Sequence, residues 1–228
     1  MSKKYFYFLL SFFFLTQANA QKEKDSLVFG IHFKWKTENL ELRKNYISNH
    51  DTLQLTEFKF YISNTEISYA DGTYFKEDNS YHLVNIEKVN SHYIFLAPKS
   101  EKIISKVVFN LGIDSVFSVS GALSGDLDVQ NGMYWAWQSG YINMKIEGIS
   151  KSCKTRKNQF QFHLGGYLKP YYALRKIILY PNQKNICINV DVSKWFNTIN
   201  LSEINSVMIP GKQAMQLSDQ IVTMFEAR

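Results

Sequence analysis

The densest chemical neighbourhood of the chain is the run Gly132-Met133-Tyr134-Trp135-Ala136-Trp137-Gln138-Ser139-Gly140-Tyr141. Read as an extended strand, it places Met133, Trp135 and Trp137 on one face and Tyr134, Ala136 and Gln138 on the other, because strand side chains alternate. Two indoles beside a thioether form a wall that can fill a core or flank a ligand. Downstream, Gln159-Phe160-Gln161-Phe162-His163-Leu164-Gly165-Gly166 sets Phe160, Phe162 and Leu164 against Gln161 and His163. His163 is thus either a hydrogen-bonded structural residue or a metal ligand.

Four more histidines occur, at 32, 50, 82 and 92, none within four residues of another. A metal site must therefore be assembled by the fold from separate strands, and spacing alone does not reveal it. His32 shares a strand face with Lys34, while His50, His82 and His92 sit beside turn-forming Asn and Ser and are expected at the surface. The sequence has no HExxH, GxSxG or CxxC motif and no glycine loop opening a helix to cradle phosphate. An acid–base pair of His163 with Asp128 or Glu147 has no supporting spacing, so the expectation is a protein that is not an enzyme.

The elements that must position these residues read mainly as strands. Leu27, Phe29, Ile31, Phe33 and Trp35 alternate with Val28, Gly30, His32, Lys34 and Lys36, the period-two pattern of a half-buried strand. A β-branched and aromatic run from Leu53 to Ala70 ends at Asp71-Gly72 and restarts at Thr73-Tyr74-Phe75, a hairpin signal. Further strands are expected at 81–86, 91–96, 103–111, 133–149, 159–164, 175–180 and 186–192. Val192 to Phe196 predicts one helical turn capped by Ser193, and Leu201 to Val207 a short element. After Pro210-Gly211, Ala214, Leu217, Ile221 and Met224-Phe225 recur at helical spacing. The fold class is therefore all-β, a mostly antiparallel β-sandwich with a short C-terminal helix.

Composition sets the boundaries of function. The 228 residues carry 26 Lys+Arg against 20 Asp+Glu, and 45% hydrophobic with 15% aromatic content excludes a wholly disordered chain. Lys3 and Lys4, the apolar run Tyr5 to Leu15 and Ala18-Asn19-Ala20 form a signal-peptide pattern with cleavage following Ala20. Residues 21–228 then make one domain of a periplasmic or secreted protein. The apolar run falls short of the ~20 residues of a membrane span, and Gln21 offers no thiol for a lipid anchor. Dispersed basic residues, with a single cluster at Lys151, Lys154, Arg156 and Lys157, lack the aromatic-interleaved stripe of a nucleic-acid binder. Cys153 and Cys187 are a candidate disulfide in an oxidising compartment, and sequence leaves their pairing open.

Several pieces together resemble the MbnP-like copper-binding protein family, whose name reflects association with methanobactin. They are Phe60-Tyr61-Ile62-Ser63-Asn64, Phe109-Asn110-Leu111-Gly112-Ile113, Gly125-Asp126-Leu127-Asp128 leading into the Trp-x-Trp-x-x-Gly-Tyr stretch, Lys145-Ile146-Glu147-Gly148 and Phe162-His163-Leu164-Gly165-Gly166. The resemblance implies a secreted β-sandwich that holds a copper ion through histidines. It further implies a tryptophan oxidised to kynurenine by a dihaem partner of the cytochrome c peroxidase type. Carried over, it makes His163 and, at the weaker N-terminal end of the match, His32 the metal ligands, and Trp135 and Trp137 the paired tryptophans. Met133 adds a thioether that favours Cu(I). The competing reading is a binding module in which Trp135, Trp137 and Tyr141 form a platform for a sugar or protein.

Overall fold

The computed structural model describes residues 26–121, 123–137 and 140–228. In chain order the strands are β1 (Ser26–Trp35), β2 (Glu38–Asn39), β3 (Tyr46–Ile47), β4 (Thr52–Tyr69), β5 (Tyr74–Lys76), β6 (Tyr81–Asn85), β7 (Tyr93–Pro98) and β8 (Ile104–Leu111). They continue as β9 (Tyr134–Trp135), β10 (Gly140–Ser150), β11 (Gln159–Gly165), β12 (Arg175–Leu179), β13 (Ile186–Asp191), β14 (Ser206–Val207) and β15 (Phe225–Ala227). Among the described residues three α-helices are interspersed: α1 (Ser115–Val119), α2 (Val192–Phe196) and α3 (Lys212–Ile221). The expected signal peptide and its cleavage site lie outside the described residues. Among those described, no helix is long and apolar enough to cross a membrane.

The strands form two sheets. The smaller runs β15-β13-β1-β2 with β7 also on β1; the larger runs β12-β8-β4-β10-β11-β14, with β3, β5 and β6 on β4 and β9 on β10. Most pairs are antiparallel, as expected for a sandwich, but β1–β13 and β11–β14 are parallel. The period-two pattern of β1 buries Phe29, Ile31 and Phe33 against the larger sheet. Phe29 meets Phe109 edge-on at 5.5 Å between ring centroids, and Phe33 meets Phe58 at 5.3 Å. These T-shaped contacts join the sheets and suit the ring quadrupoles. Phe160, Phe162 and Leu164 of β11 enter the same core.

Local chemistry departs from expectation at three places. The run from Met133 to Ile149 is a hairpin rather than one strand, because the chain turns after Trp135 and returns at Gly140. Helix α2 is capped by Asp191, whose carboxylate accepts from the Ser193 N–H at 3.1 Å and the Ser193 hydroxyl at 2.7 Å. Ser193 itself is therefore inside the helix, the carboxylate two residues earlier being the stronger acceptor for its orphan N–H. The C-terminal helix α3 buries Ala214, Leu217 and Ile221 as its spacing predicts, yet Phe225 leaves helical geometry to join the smaller sheet in β15.

The outward face of the larger sheet carries a second apolar cluster of Tyr61, Leu83, Ile113, Leu127, Met133, Trp135, Tyr141 and Ile142. The excursion between β8 and β9 covers it. Tyr61 donates to the Asp126 carbonyl at 2.9 Å, the Asp126 carboxylate accepts from the Leu83 N–H at 2.9 Å, and Tyr141 donates to the Leu127 carbonyl at 2.8 Å. The excursion leaves β8 at Gly112, where φ is +114° and a Cβ would stand 2.2 Å from Asn143 Cγ. Only glycine fits that turn, and Asn143 uses the space to accept from the Ile113 N–H at 3.0 Å.

Candidate metal centre

His163 faces out of the larger sheet. Its neighbours Phe162 and Leu164 are core residues, and alternation sends the imidazole the other way, where it is only 8% exposed. Opposite it on β10 stands Lys145, and opposite that on β4 stands Lys59. Glu147 and Glu57 fill the next outward positions. The result is a row of alternating charge: His163 Nε2 lies 2.7 Å from Glu147 Oε1, Lys145 Nζ 3.5 Å from the same oxygen and 3.0 Å from Glu57, and Lys59 Nζ 2.7 Å from Glu57. The hydrogen bond from His163, reinforced by Lys145 and opposed by burial, holds the Glu147 carboxyl below its usual pKa.

That hydrogen bond decides which imidazole nitrogen is free. Nε2 donates to the carboxylate, so the lone pair of the neutral ring is on Nδ1. A carboxylate orienting one nitrogen while the other stays available is the usual second layer of a histidine metal ligand. Glu147 was considered at the sequence level only as an acid–base partner without supporting spacing. Its signal was the alternation Lys145-Ile146-Glu147, which sends both charges to one face, but only strand register could show that His163 pairs there.

Trp135 lies on the same face. Gly165 is two residues from His163, so the two share an outward direction, and a Cβ on Gly165 would stand 2.8 Å from Trp135 Cζ3 and 3.0 Å from Cη2. The indole therefore rests directly on the glycine. Met133, fully buried, belongs to the same cluster, and its carbonyl accepts from the Ile142 N–H at 2.9 Å. The hairpin turn separates the paired tryptophans: Trp135 is 6% exposed and Trp137 62%, with rings 6.1 Å apart and inclined at 53°. A flat platform of two exposed indoles is not what this geometry builds. Trp135 also lines a cleft of about 290 Å³ shared with Tyr167, Tyr171 and Pro210.

His32 lies elsewhere. It projects from β1 of the smaller sheet between the core residues Ile31 and Phe33, hence away from the core on the opposite side of the molecule. With sheets stacked about 10 Å apart, two imidazoles pointing outward from different sheets do not both reach the ~2.1 Å that one ion requires. The expected site shared by His32 and His163 is thus not formed, because strand alternation sends each away from the core that separates them. Among the described residues no three His, Cys, Asp or Glu side chains converge as a metal cluster.

The remaining expectations are placed as follows. His82 pairs with Glu77 at 3.0 Å and His92 with the Asn85 carbonyl at 3.0 Å, its ring 5.0 Å from Phe33. Half-buried contacts hold both of them. Cys153 and Cys187 are separate thiols: Cys153 is buried in the core, whereas Cys187 faces outward on β13. Burial pushes the Cys153 thiol up to about 11, so it stays protonated.

Comparison with known proteins adds a family and a fold. The family model described as MbnP matches residues 24–209. Among solved structures, MbnP from Methylosinus trichosporium superposes with a TM-score of 0.58 at 13% identity, covering 81% of this chain and 83% of that one. No curated protein matches the chain.

Proposed function

This chain belongs to the MbnP family, and on that premise we propose that it is an exported copper-binding protein whose metal locus is the outward face around His163. The observation that carries the reading is the seat of Trp135 on Gly165, one strand repeat from a buried imidazole whose Nε2 is already tied to Glu147. His163 would offer Nδ1, and Met133 in the same cluster a thioether, a soft donor suited to Cu(I). The donor set is short for a divalent ion. Conversion of Trp135 to a kynurenine by a dihaem oxidising partner would add an aniline nitrogen and a carbonyl beside the imidazole. Trp137, exposed and 6.1 Å from Trp135, would be the surface residue such a partner meets first. The role is sequestration or delivery of the ion after export, with no catalysis by the chain itself.

The test is copper retention by the exported protein with and without His163. Wild-type protein purified from a periplasmic fraction should keep close to one equivalent at this face, and His163→Ala should lose it. Retention by H163A equal to wild type would remove His163 from the site. Peptide mass spectrometry of protein made with its dihaem partner reads the second part. An unaltered Trp135 peptide under those conditions would remove the modification.

A further inference from the structure

The outward face of the smaller sheet has a donor set that nothing above uses. β1 and β13 run parallel with Gly30 opposite Cys187 and His32 opposite Asn189. Ile186, Ile188 and Val190 are core residues, so Cys187 and Asn189 point outward with Gly30 and His32. A Cβ on Gly30 would stand 3.8 Å from Cys187 Sγ and 3.9 Å from His32 Nε2. The thiol and the imidazole therefore flank the same empty side-chain position. Neither has a hydrogen-bond partner among the described residues. Gly30, His32 and Cys187 line a cleft of about 370 Å³ together with Tyr93.

The geometry points to a soft-metal site here: Cys187 Sγ and His32 Nε2 bind one Cu(I)-class ion across the gap above Gly30. Thiolate sulfur selects monovalent copper over harder ions, and imidazole accepts it equally well. On binding, the Cys187 S–H bond breaks, its proton leaves to solvent and the sulfur lone pair forms the metal bond. No electron is transferred, since the ion arrives already monovalent. The thiolate and the ion together carry no net charge, so the nearby cations Arg228 and Lys34 do not repel the pair. The site is independent of the reading for His163, from which it is separated by the core.

Anaerobic Cu(I) titration of the full chain against a chromogenic Cu(I) chelator, with X-ray absorption on the loaded protein, tests it. In the His163→Ala background, which empties the locus that Met133 would share, copper should still show sulfur in its shell. Adding Cys187→Ser should lose that sulfur and weaken binding about 100-fold, and adding His32→Ala about 10-fold, no less than the 10–100-fold cost of losing a ligand's supporting partner. Gly30→Val keeps every donor and fills the gap; it should bind as weakly as H32A. Full affinity in C187S or G30V overturns the proposal, whatever H163A does. Should C187S fail to fold, alkylation of wild type decides: one equivalent of Cu(I) must protect Cys187 from iodoacetamide, and an unprotected thiol overturns the site.

Discussion

Two glycine–histidine pairs leave this sandwich in opposite directions. In β11, His163 and Gly165 face out of the larger sheet; in β1, Gly30 and His32 face out of the smaller one. The local pattern is the same, a histidine two residues from a glycine on one strand face. The difference is the neighbourhood. Over Gly165 strand β9 lays the Trp135 indole, so the missing side chain is a seat for an aromatic ring. Over Gly30 the missing side chain is a gap between a thiol and an imidazole. Equal spacing in sequence therefore makes a packed histidine in one sheet and an open one in the other.

The comparison can be broken most directly at Trp135. Trp135→Ala should destabilise by about 3–5 kcal/mol, the usual range for emptying a buried tryptophan site, whereas Trp137→Ala should stay within about 0.5 kcal/mol as an exposed substitution. Denaturant unfolding of the two variants measures both. Equal costs would mean that the hairpin does not separate the indoles.

The glycines give the next effect. A Cβ on Gly165 would meet the Tyr141 carbonyl at 2.7 Å as well as the indole, and backbone does not yield like the end of a flexible side chain. Gly165→Ala should cost about 1–3 kcal/mol through overpacking. Gly30→Ala meets its neighbours at ordinary distances of 3.7–3.9 Å and should change the melting temperature little. A large loss in G30A would show the smaller sheet to be as tightly covered as the larger.

The charge row supplies a smaller, pH-dependent effect. Glu147→Gln should cost about 1.5 kcal/mol at neutral pH, the loss of one hydrogen bond to a charged group. The folded carboxyl ionises below its ordinary value of 4.5, so the unfolded chain takes up the proton first. The advantage of wild type over E147Q should be complete above pH 4.5 and vanish as pH falls through the lowered folded value. An advantage that persists in acid would show that His163 does not depend on the carboxylate.

The smallest effect belongs to His32. Its ring ionises below 6.5, chiefly through burial and then through Arg228 and Lys34. Its contribution to stability is present above pH 6.5 and is lost as pH falls through the lowered value, because protonation is easier in the unfolded chain. Imidazole proton shifts followed by NMR should give a midpoint below 6.5, and a midpoint above it would place a carboxylate beside the ring.

Much of this was legible in the chain. The alternation in β1 and β11 told which side chains enter the core, and so that His32 and His163 do not. The Asp71-Gly72 hairpin, the turn at Val192 to Phe196 and the apolar face of α3 are local signals, and each formed. The break inside the Trp-x-Trp stretch was not legible, since Met133 to Ile149 reads as one continuous strand and only pairing of Tyr134–Trp135 back onto β10 exposes the turn. Glu147 was legible only as an acid–base partner of His163 without supporting spacing, and Cys187 only as a disulfide candidate with Cys153, whereas the fold leaves the two thiols apart.

Periodicity in the sequence determined that this is a β-sandwich and that each histidine leaves its strand on the side away from the core, because a strand's side-chain period is two and burial selects one face. Which sheet each strand joins, and hence that His163 meets Glu147 and Trp135 while His32 meets Cys187, was decided only by tertiary structure. Strand pairing brings together residues 157 positions apart, as between Gly30 and Cys187, where register and not sequence distance sets which side chains touch.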